Sequence, residues 1–324
     1  MEASLVCGRL RRDRCGEPVI LHSLSTERRE RLTKAGLDAN QVEDLVRRTI
    51  EEDLAGGADI TTVATVPAQQ RSVATFTTRA RGALAGLDVA AAAVEMVCGV
   101  EQCAFTIVCN DGDRVVPGDV LAKVEAPTRG LLTAERTALN LLCHLSGVAT
   151  ATAMWVDAIA GTDAKVRDTR KTTPGLRSLE KYAVRCGGGQ NHRMSLSDAA
   201  LVKDNHIVAA GGVAQAFALV RQSAPDMVVE IEVDTLEQLK VALDAGADLV
   251  LLDNMAPATM RQAVDIARRH TSTTARHVLL EASGGLTLAN AKDVAATGVD
   301  FISVGALTHS SPILDIGLDV HTVQ

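Results

Sequence analysis

Arg170, Lys171, His192, Arg193 and Lys203, each cationic or able to become so, fall within 34 residues of one another. They are interleaved with small and apolar residues and with a glycine run, Gly187–Gly189, that reads as a flexible turn. A solvated basic face would instead run its charges together. Arginine grips carboxylate or phosphate through two parallel hydrogen bonds. Cations that converge in this way repel one another unless a multiply charged anion sits between them. Two carboxylates, Glu232 and Asp253, form a second group. Each closes an apolar run and so is expected to be half-buried, which calls for an ion-pair partner, Mg2+ or the hydroxyls of a sugar. A third feature is Ser283-Gly284-Gly285 directly before a helical stretch, with Gly305 in VGALTHS repeating the arrangement. Free backbone N–H groups and the positive end of a helix dipole favour phosphate there. There is no G-x-S-x-G, no zinc-spaced cysteine set and no P-loop. His144, in LLCHLSG, lies on an apolar helix and reads as a packing histidine.

What positions these groups is a repeated theme of short apolar strand, polar residues, then helix. The strands are AKVRDT, AALVKDN, MVVEIEV, DLVLLDN, HVLLEAS and DFISVGA, and the clearest helices are TLEQLKVALDAG, APATMRQAVDIARRH and TLANAKDVAATG. Such alternation predicts a parallel sheet buried on both faces. At least six units fit a closed or partly closed α/β barrel better than a doubly wound sheet. Arg170, Lys171, Lys203, Glu232, Asp253, Ser283, Gly284, Gly285 and Gly305 then lie at the C-terminal ends of strands, the rim where barrel active sites form. A lone Lys or Asp after a strand is ordinarily a solvated loop residue, but the pattern recurs at strand after strand. Before about Leu131 the pattern differs. A helix over LDANQVEDLVRRTIEEDL, capped by Asp38 or Asn40, and a helix over GLDVAAAAVEMVCG accompany short alternating strands with turns at Asp111-Gly112 and Pro117-Gly118. That is an α+β arrangement with antiparallel strands. LLTAERTALNLLCHLSGVATATAMWVDAIAG then reads as one long helical region, or two helices broken near Ser146-Gly147. Residues 1–30 show no lasting apolar periodicity and are expected to be a disordered or loosely attached arm.

Hydrophobic residues make up 47% and aromatics 2%, so a sizeable core must be built from Ala, Val, Leu and Ile. The net charge of −7 argues against a nucleic-acid partner and makes any anion site a local cluster. No apolar run of transmembrane length and no secretory signal stand out. The cysteines Cys7, Cys15, Cys98, Cys103, Cys109, Cys143 and Cys186 include no C-x-x-C pair, which suits reduced thiols in the cytoplasm.

TAERTALNLLCHLSG, DTRKTTPGLRSLEKYAVRCGGGQNHRMSLSDAALVKDNHI, EIEV, LLDN, EASGG and VGALTHS closely resemble quinolinate phosphoribosyltransferase, over essentially residues 35 to 324. The resemblance implies an N-terminal α/β sandwich with an antiparallel sheet (31–132), an incomplete, open α/β barrel (133–309) and a tail (310–324) packing back on the N-terminal domain. It implies attack of the quinolinate ring nitrogen on C1 of 5-phosphoribosyl-1-pyrophosphate, departure of pyrophosphate with Mg2+ assistance, and loss of the 2-carboxylate as CO2, giving nicotinate mononucleotide for NAD synthesis. By position, Arg170, His192, Arg193 and Lys203 would hold the carboxylates, and Lys171 would lie between substrate and pyrophosphate. Glu232 and Asp253 would contact the ribose hydroxyls and Mg2+, the metal directly or through water. Lys171, Glu232 and Asp253 are thus the expected catalytic residues. Ser283, Gly284, Gly305 and His309 would line the 5-phosphate site. Arg136, in the TAER motif, would reach into a neighbouring subunit, implying a homodimer or a hexamer built as a trimer of dimers. The alternatives are a related phosphoribosyltransferase for another base and a non-catalytic phosphometabolite-binding barrel.

Overall fold

The computed structural model describes residues 19–322. Its first helix, α1 (Thr26–Lys34), begins where Ser25 accepts the Arg28 N–H at 3.1 Å. Little apolar surface holds it: Leu32 is buried, and Arg28 reaches Glu95 at 2.9 Å and also pairs with Asp88. Apolar periodicity cannot register a helix held by ion pairs. The expected arm over 1–30 is therefore corrected for residues 26–30, whereas residues 1–18 lie outside the described residues. Next come α2 (Ala39–Leu54), capped by Asp38, and α3 (Ile60–Thr65), capped by Asp59.

The strands β1 (Arg71–Thr78), β3 (Ala104–Ile107), β5 (Val120–Pro127) and β12 (Ile316–Thr322) form an antiparallel sheet in the order β12-β1-β5-β3. The short strands β2 (Gly82–Ala83) and β4 (Arg114–Val115) pair beside it. Alternate residues of β1 are buried, the period of a sheet with one covered face. The covering helix α4 (Leu87–Cys98) is buried almost all round; its run of alanines admits neighbours on every side.

α5 (Thr128–Ala158) is one unbroken helix, not two. Ser146-Gly147 does not break it but brings other segments close: the Ser146 hydroxyl bonds the backbone of Ala85, and a Cβ on Gly147 would stand 2.1 Å from the Pro312 carbonyl oxygen. The boundary drawn between 132 and 133 thus falls inside α5, which serves both halves. α5 is also long and apolar enough to cross a membrane, contrary to the expectation from sequence, but 67% of its apolar window is buried within the protein.

The second sheet contains β6 (Lys165–Arg167), β7 (Ala200–Val202), β8 (Val229–Val233), β9 (Leu249–Asp253), β10 (Leu279–Ser283) and β11 (Phe301–Ser303). Its order is β6-β11-β10-β9-β8-β7, and every pairing is parallel. β6 and β7 are its two edges and do not pair, so the barrel is open along one seam. That seam is occupied by residues 168–199, which include α6 (Arg177–Cys186) and touch β6 through a single bridge, Arg167 to Gln190. Helices α7 (Asp204–Ala210), α8 (Val213–Ser223), α9 (Leu236–Asp244), α10 (Pro257–Thr274), α11 (Leu288–Ala295) and α12 (Ala306–His309) complete the strand–helix repeats. The chain then returns through β12 to β1, pairing Thr78 with Ile316 and Val73 with His321.

Candidate active site

The C-terminal ends of the barrel strands surround a cavity of about 590 Å3. Arg170, Lys171, His192, Arg193, Lys203, Glu232, Asp253, Ser283 and Gly284 all line it. Gly305 and His309 stand at its edge: a Cβ on Gly305 would lie 2.8 Å from Lys171 Cδ and 3.3 Å from His309 Nε2. The Thr308 hydroxyl donates to the Lys171 carbonyl at 2.8 Å, so α12 braces the lysine's backbone. Arg136 is exposed on α5, and this chain does not bring it to the cavity.

Among the described residues, Arg170, Lys171 and Arg193 have no carboxylate within 4.0 Å. Arg170 Nε is buried with no acceptor at all. Arg193 donates to the Ala199 carbonyl at 2.7 Å, and burial, then the neighbouring Arg170, pull its pKa down. Two half-buried guanidiniums side by side without a carboxylate partner form a positive site that an anion would fill. Lys203 is paired, with Nζ 3.0 Å from Glu232 Oε2.

Both cationic segments are fixed by buried polar groups that the sequence did not single out. Asp168 and Lys181, each fully buried, form an ion pair. Burial pushes the Asp168 carboxyl up and the Lys181 ammonium down, and each partner opposes the other's shift. Asp168 also accepts the His192 N–H (2.8 Å) and the Asn191 amide (2.5 Å), while Lys181 donates to the His192 carbonyl at 2.8 Å. On the same helix, buried Glu180 accepts the Thr173 N–H at 3.0 Å and meets His144 Nε2 at 2.9 Å. His144 is thus a satisfied packing histidine that secures the loop after Lys171. Tyr182 donates to Asp111 Oδ2 at 2.6 Å, and Asp111 caps the start of α4 through the Gly86 and Leu87 amides. α6 therefore ties both cationic segments to the N-terminal half.

The glycine run Gly187–Gly189 is not a flexible turn. A Cβ on Gly187 would stand 2.4 Å from the Ala149 carbonyl oxygen, and one on Gly189 would stand 2.8 Å from Thr152 Cγ2. These glycines let the segment pack against α5.

The opposite wall is built from strand ends in ladder register. Ser283 pairs with Asp253, and Glu232 pairs with Leu251. Gly284 and Gly285 take positive φ (86° and 60°), and a Cβ on Gly284 would stand 2.2 Å from Asn254 Oδ1. Asn254, also left-handed, donates its side-chain amide to Asp253 at 2.6 Å and its N–H to the Ser283 carbonyl at 2.9 Å. The glycines do not open directly into α11: Leu286 and Thr287 intervene, and Thr287 caps the helix. What borders the cavity here is thus the glycine turn itself rather than the helix end.

Deeper residues went unnoticed, although the alternation of strand residues between two faces could have found them. Glu230 lies two positions before Glu232, Glu281 two before Ser283 and Leu201 two before Lys203, each one layer down. Ligand atoms of His192, Glu230 and Glu281 all lie within 4.8 Å of one another, a spacing that could suit a metal. The ring argues against one. His192 Nδ1 accepts the Arg193 N–H at 2.7 Å, so a neutral imidazole must keep its proton on Nε2, the nitrogen that faces the carboxylates. Arg167, 2.9 Å from Glu281 and stacked 3.3 Å from the centre of the Phe301 ring, supplies positive charge there already. Burial, then the nearby Glu230 carboxylate, push the Glu281 pKa up.

Residues 59–146 match the family description "Quinolinate phosphoribosyl transferase, N-terminal domain", and residues 148–319 match its C-terminal domain. The chain is 53% identical over 277 residues to a "Nicotinate-nucleotide pyrophosphorylase [carboxylating]" of Mycobacterium leprae, covering 86% of this chain and 96% of the relative. It is 41% identical over 220 residues to the Homo sapiens protein of that name, covering 67% and 73%. The solved nicotinate-nucleotide pyrophosphorylase of Francisella tularensis superposes with a TM-score of 0.81 at 40% identity, covering 87% of this chain and 96% of the other.

Proposed function

The chain belongs to the quinolinate phosphoribosyltransferase family and carries out the decarboxylating transfer of phosphoribose to quinolinate in NAD biosynthesis; we propose the following division of labour among its residues. The observation that carries it is the unpaired cationic set, Arg170, Lys171 and Arg193, facing the glycine turn at Gly284 across one cavity.

Arg170, Arg193 and Lys203 take the two quinolinate carboxylates, with Arg170 Nε supplying a donor that has no acceptor among the described residues. Lys171 sits between them and the pyrophosphate. The turn at Ser283, Gly284 and Gly285 takes the 5-phosphate, with Gly305 and His309 at its margin. Among the described residues Glu232 and Asp253 each keep one oxygen free of protein hydrogen bonds, toward the ribose hydroxyls. A half-buried carboxylate there stabilises positive charge developing at ribose C1. Clamping both carboxylates of the base holds its ring nitrogen in line with C1. When the 2-carboxylate departs, the pyridinium ring receives the electron pair. Two carboxylates are the donor set Mg2+ accepts when substrate and water complete its shell, so Glu232 and Asp253 would hold it, partly through water. Bound there, Mg2+ neutralises charge on the leaving pyrophosphate.

Arg136, exposed and remote from this cavity, closes the cavity of a second copy in a homodimer. The free cysteines among the described residues, Cys98, Cys103, Cys109, Cys143 and Cys186, suit a cytoplasmic protein. Mass spectrometry of a reaction holding quinolinate, phosphoribosyl pyrophosphate and Mg2+ should show nicotinate mononucleotide. Turnover of nicotinate as fast as quinolinate would refute the assignment of the base.

A further inference from the structure

Below the cavity, buried Glu230 faces His192, with Oε2 2.8 Å from the ring Nε2. The other ring nitrogen is committed, since Nδ1 accepts the Arg193 N–H at 2.7 Å. The single ring N–H therefore sits on Nε2, the ring atom 2.8 Å from the Glu230 carboxylate. Glu281 is no rival acceptor: its nearer oxygen is 3.5 Å from Nε2 and already takes the Ser303 hydroxyl at 2.5 Å, while its other oxygen takes Arg167. The His192 backbone is immobilised too, by Asp168 at its N–H and Lys181 at its carbonyl. Its ring cannot turn to a substrate carboxylate without giving up Glu230.

We propose that Glu230 is a positioning residue for quinolinate binding: it holds the His192 ring, the ring holds the Arg193 amide, and the Arg193 guanidinium is thereby aimed at the substrate. His192 then acts as a fixed spacer between Glu230 and Arg193 and not as a donor to the anion. The first link is a 2.8 Å contact between the Glu230 carboxylate and Nε2, the second a 2.7 Å hydrogen bond from the Arg193 N–H to Nδ1, and the three residues follow one another from the buried layer to the cavity wall. The proposal rests on reading the cavity as the quinolinate site.

Two variants and one spectrum test it. In Glu230→Gln the amide oxygen still accepts from Nε2, so KM for quinolinate should stay within about threefold of the parent. Glu230→Leu keeps the volume and removes the acceptor. KM for quinolinate should then rise about tenfold, equivalent to about 1.4 kcal/mol, while KM for phosphoribosyl pyrophosphate and the melting temperature stay close to the parent. Nitrogen-15 NMR of the substrate-free parent should show His192 Nε2 as a protonated, pyrrole-type nitrogen and Nδ1 as a pyridine-type acceptor. The proposal is overturned if Glu230→Leu leaves KM for quinolinate unchanged or raises both KM values alike. It is equally overturned if Glu230→Gln is as damaging as Glu230→Leu, or if the spectrum shows the opposite tautomer. Should Glu230→Leu fail to fold, Glu230→Gln and the spectrum still decide. A parent protein inert toward quinolinate would instead refute the substrate assignment, leaving the tautomer result to stand by itself.

Discussion

The two walls of the cavity are held in place by different means. The acidic and glycine wall, Glu232, Asp253 and Ser283, sits on central strands whose parallel ladders fix each side chain's height. The cationic wall, Arg170, Lys171, His192 and Arg193, fills the seam between β6 and β7, where no ladder exists and one bridge is the nearest substitute. There the positioning is done by side chains: the Asp168–Lys181 pair, Glu180 and Asn191. A barrel left open trades backbone hydrogen bonds for buried polar networks, which fail together when one member is lost.

That contrast can be broken most sharply at Lys181. Lys181→Met strands a buried carboxylate and should cost about 3–5 kcal/mol of stability, seen as a large fall in melting temperature. Adding Asp168→Leu should restore much of that stability but not the activity, because the His192 N–H would still lack its acceptor. Full recovery of both would mean that the ladder-free wall needs no polar frame. Next in size, Arg170→Ala removes up to two charge-assisted hydrogen bonds to the substrate. It should lower kcat/KM about a hundredfold or more with little change in melting temperature. On the ladder wall, Gly284→Ala forces a side chain into left-handed backbone against Asn254, at a cost of about 1–3 kcal/mol. Its kinetic signature should be a raised KM for phosphoribosyl pyrophosphate and an unmoved KM for quinolinate. Equal effects on both substrates would erase the division between the walls. Smallest is Tyr182→Phe, which loses the bond to Asp111 and should cost about 1 kcal/mol in a denaturant titration with kcat unchanged.

The same division governs what the sequence discloses. Strand ends are legible because apolar runs mark the strands and the next polar residue marks the rim, and in this way Lys203, Glu232, Asp253 and Ser283 could be placed. Arg170, Lys171, His192 and Arg193 were legible as a charge cluster, but not the means that hold them. Asp168 and Lys181 look like surface residues in a charged segment, and only the fold brings the two together in the interior. Helix α1 escaped for a similar reason, since Arg28 docks it through ion pairs with Asp88 and Glu95. The glycines at 147 and 187–189 were read as breaks or flexibility because a sequence does not say what lies against a missing Cβ. Arg136 could be assigned a role only by resemblance, because its site is not on the same chain.

Strand β12 has a consequence for the order of assembly. The Thr78 hydroxyl meets the Asp315 carbonyl across 237 residues, and β12 pairs with β1 from Ser72 to Thr78. During synthesis the first sheet therefore lacks an edge strand until the barrel segments have already emerged. The barrel is free to collapse through its local strand–helix contacts, while β1 waits with an unpaired edge. Truncation before Asp315 should accordingly damage the half of the molecule made first, leaving a ribosome-bound chain exposed to pairing with its neighbours until synthesis reaches its last strand.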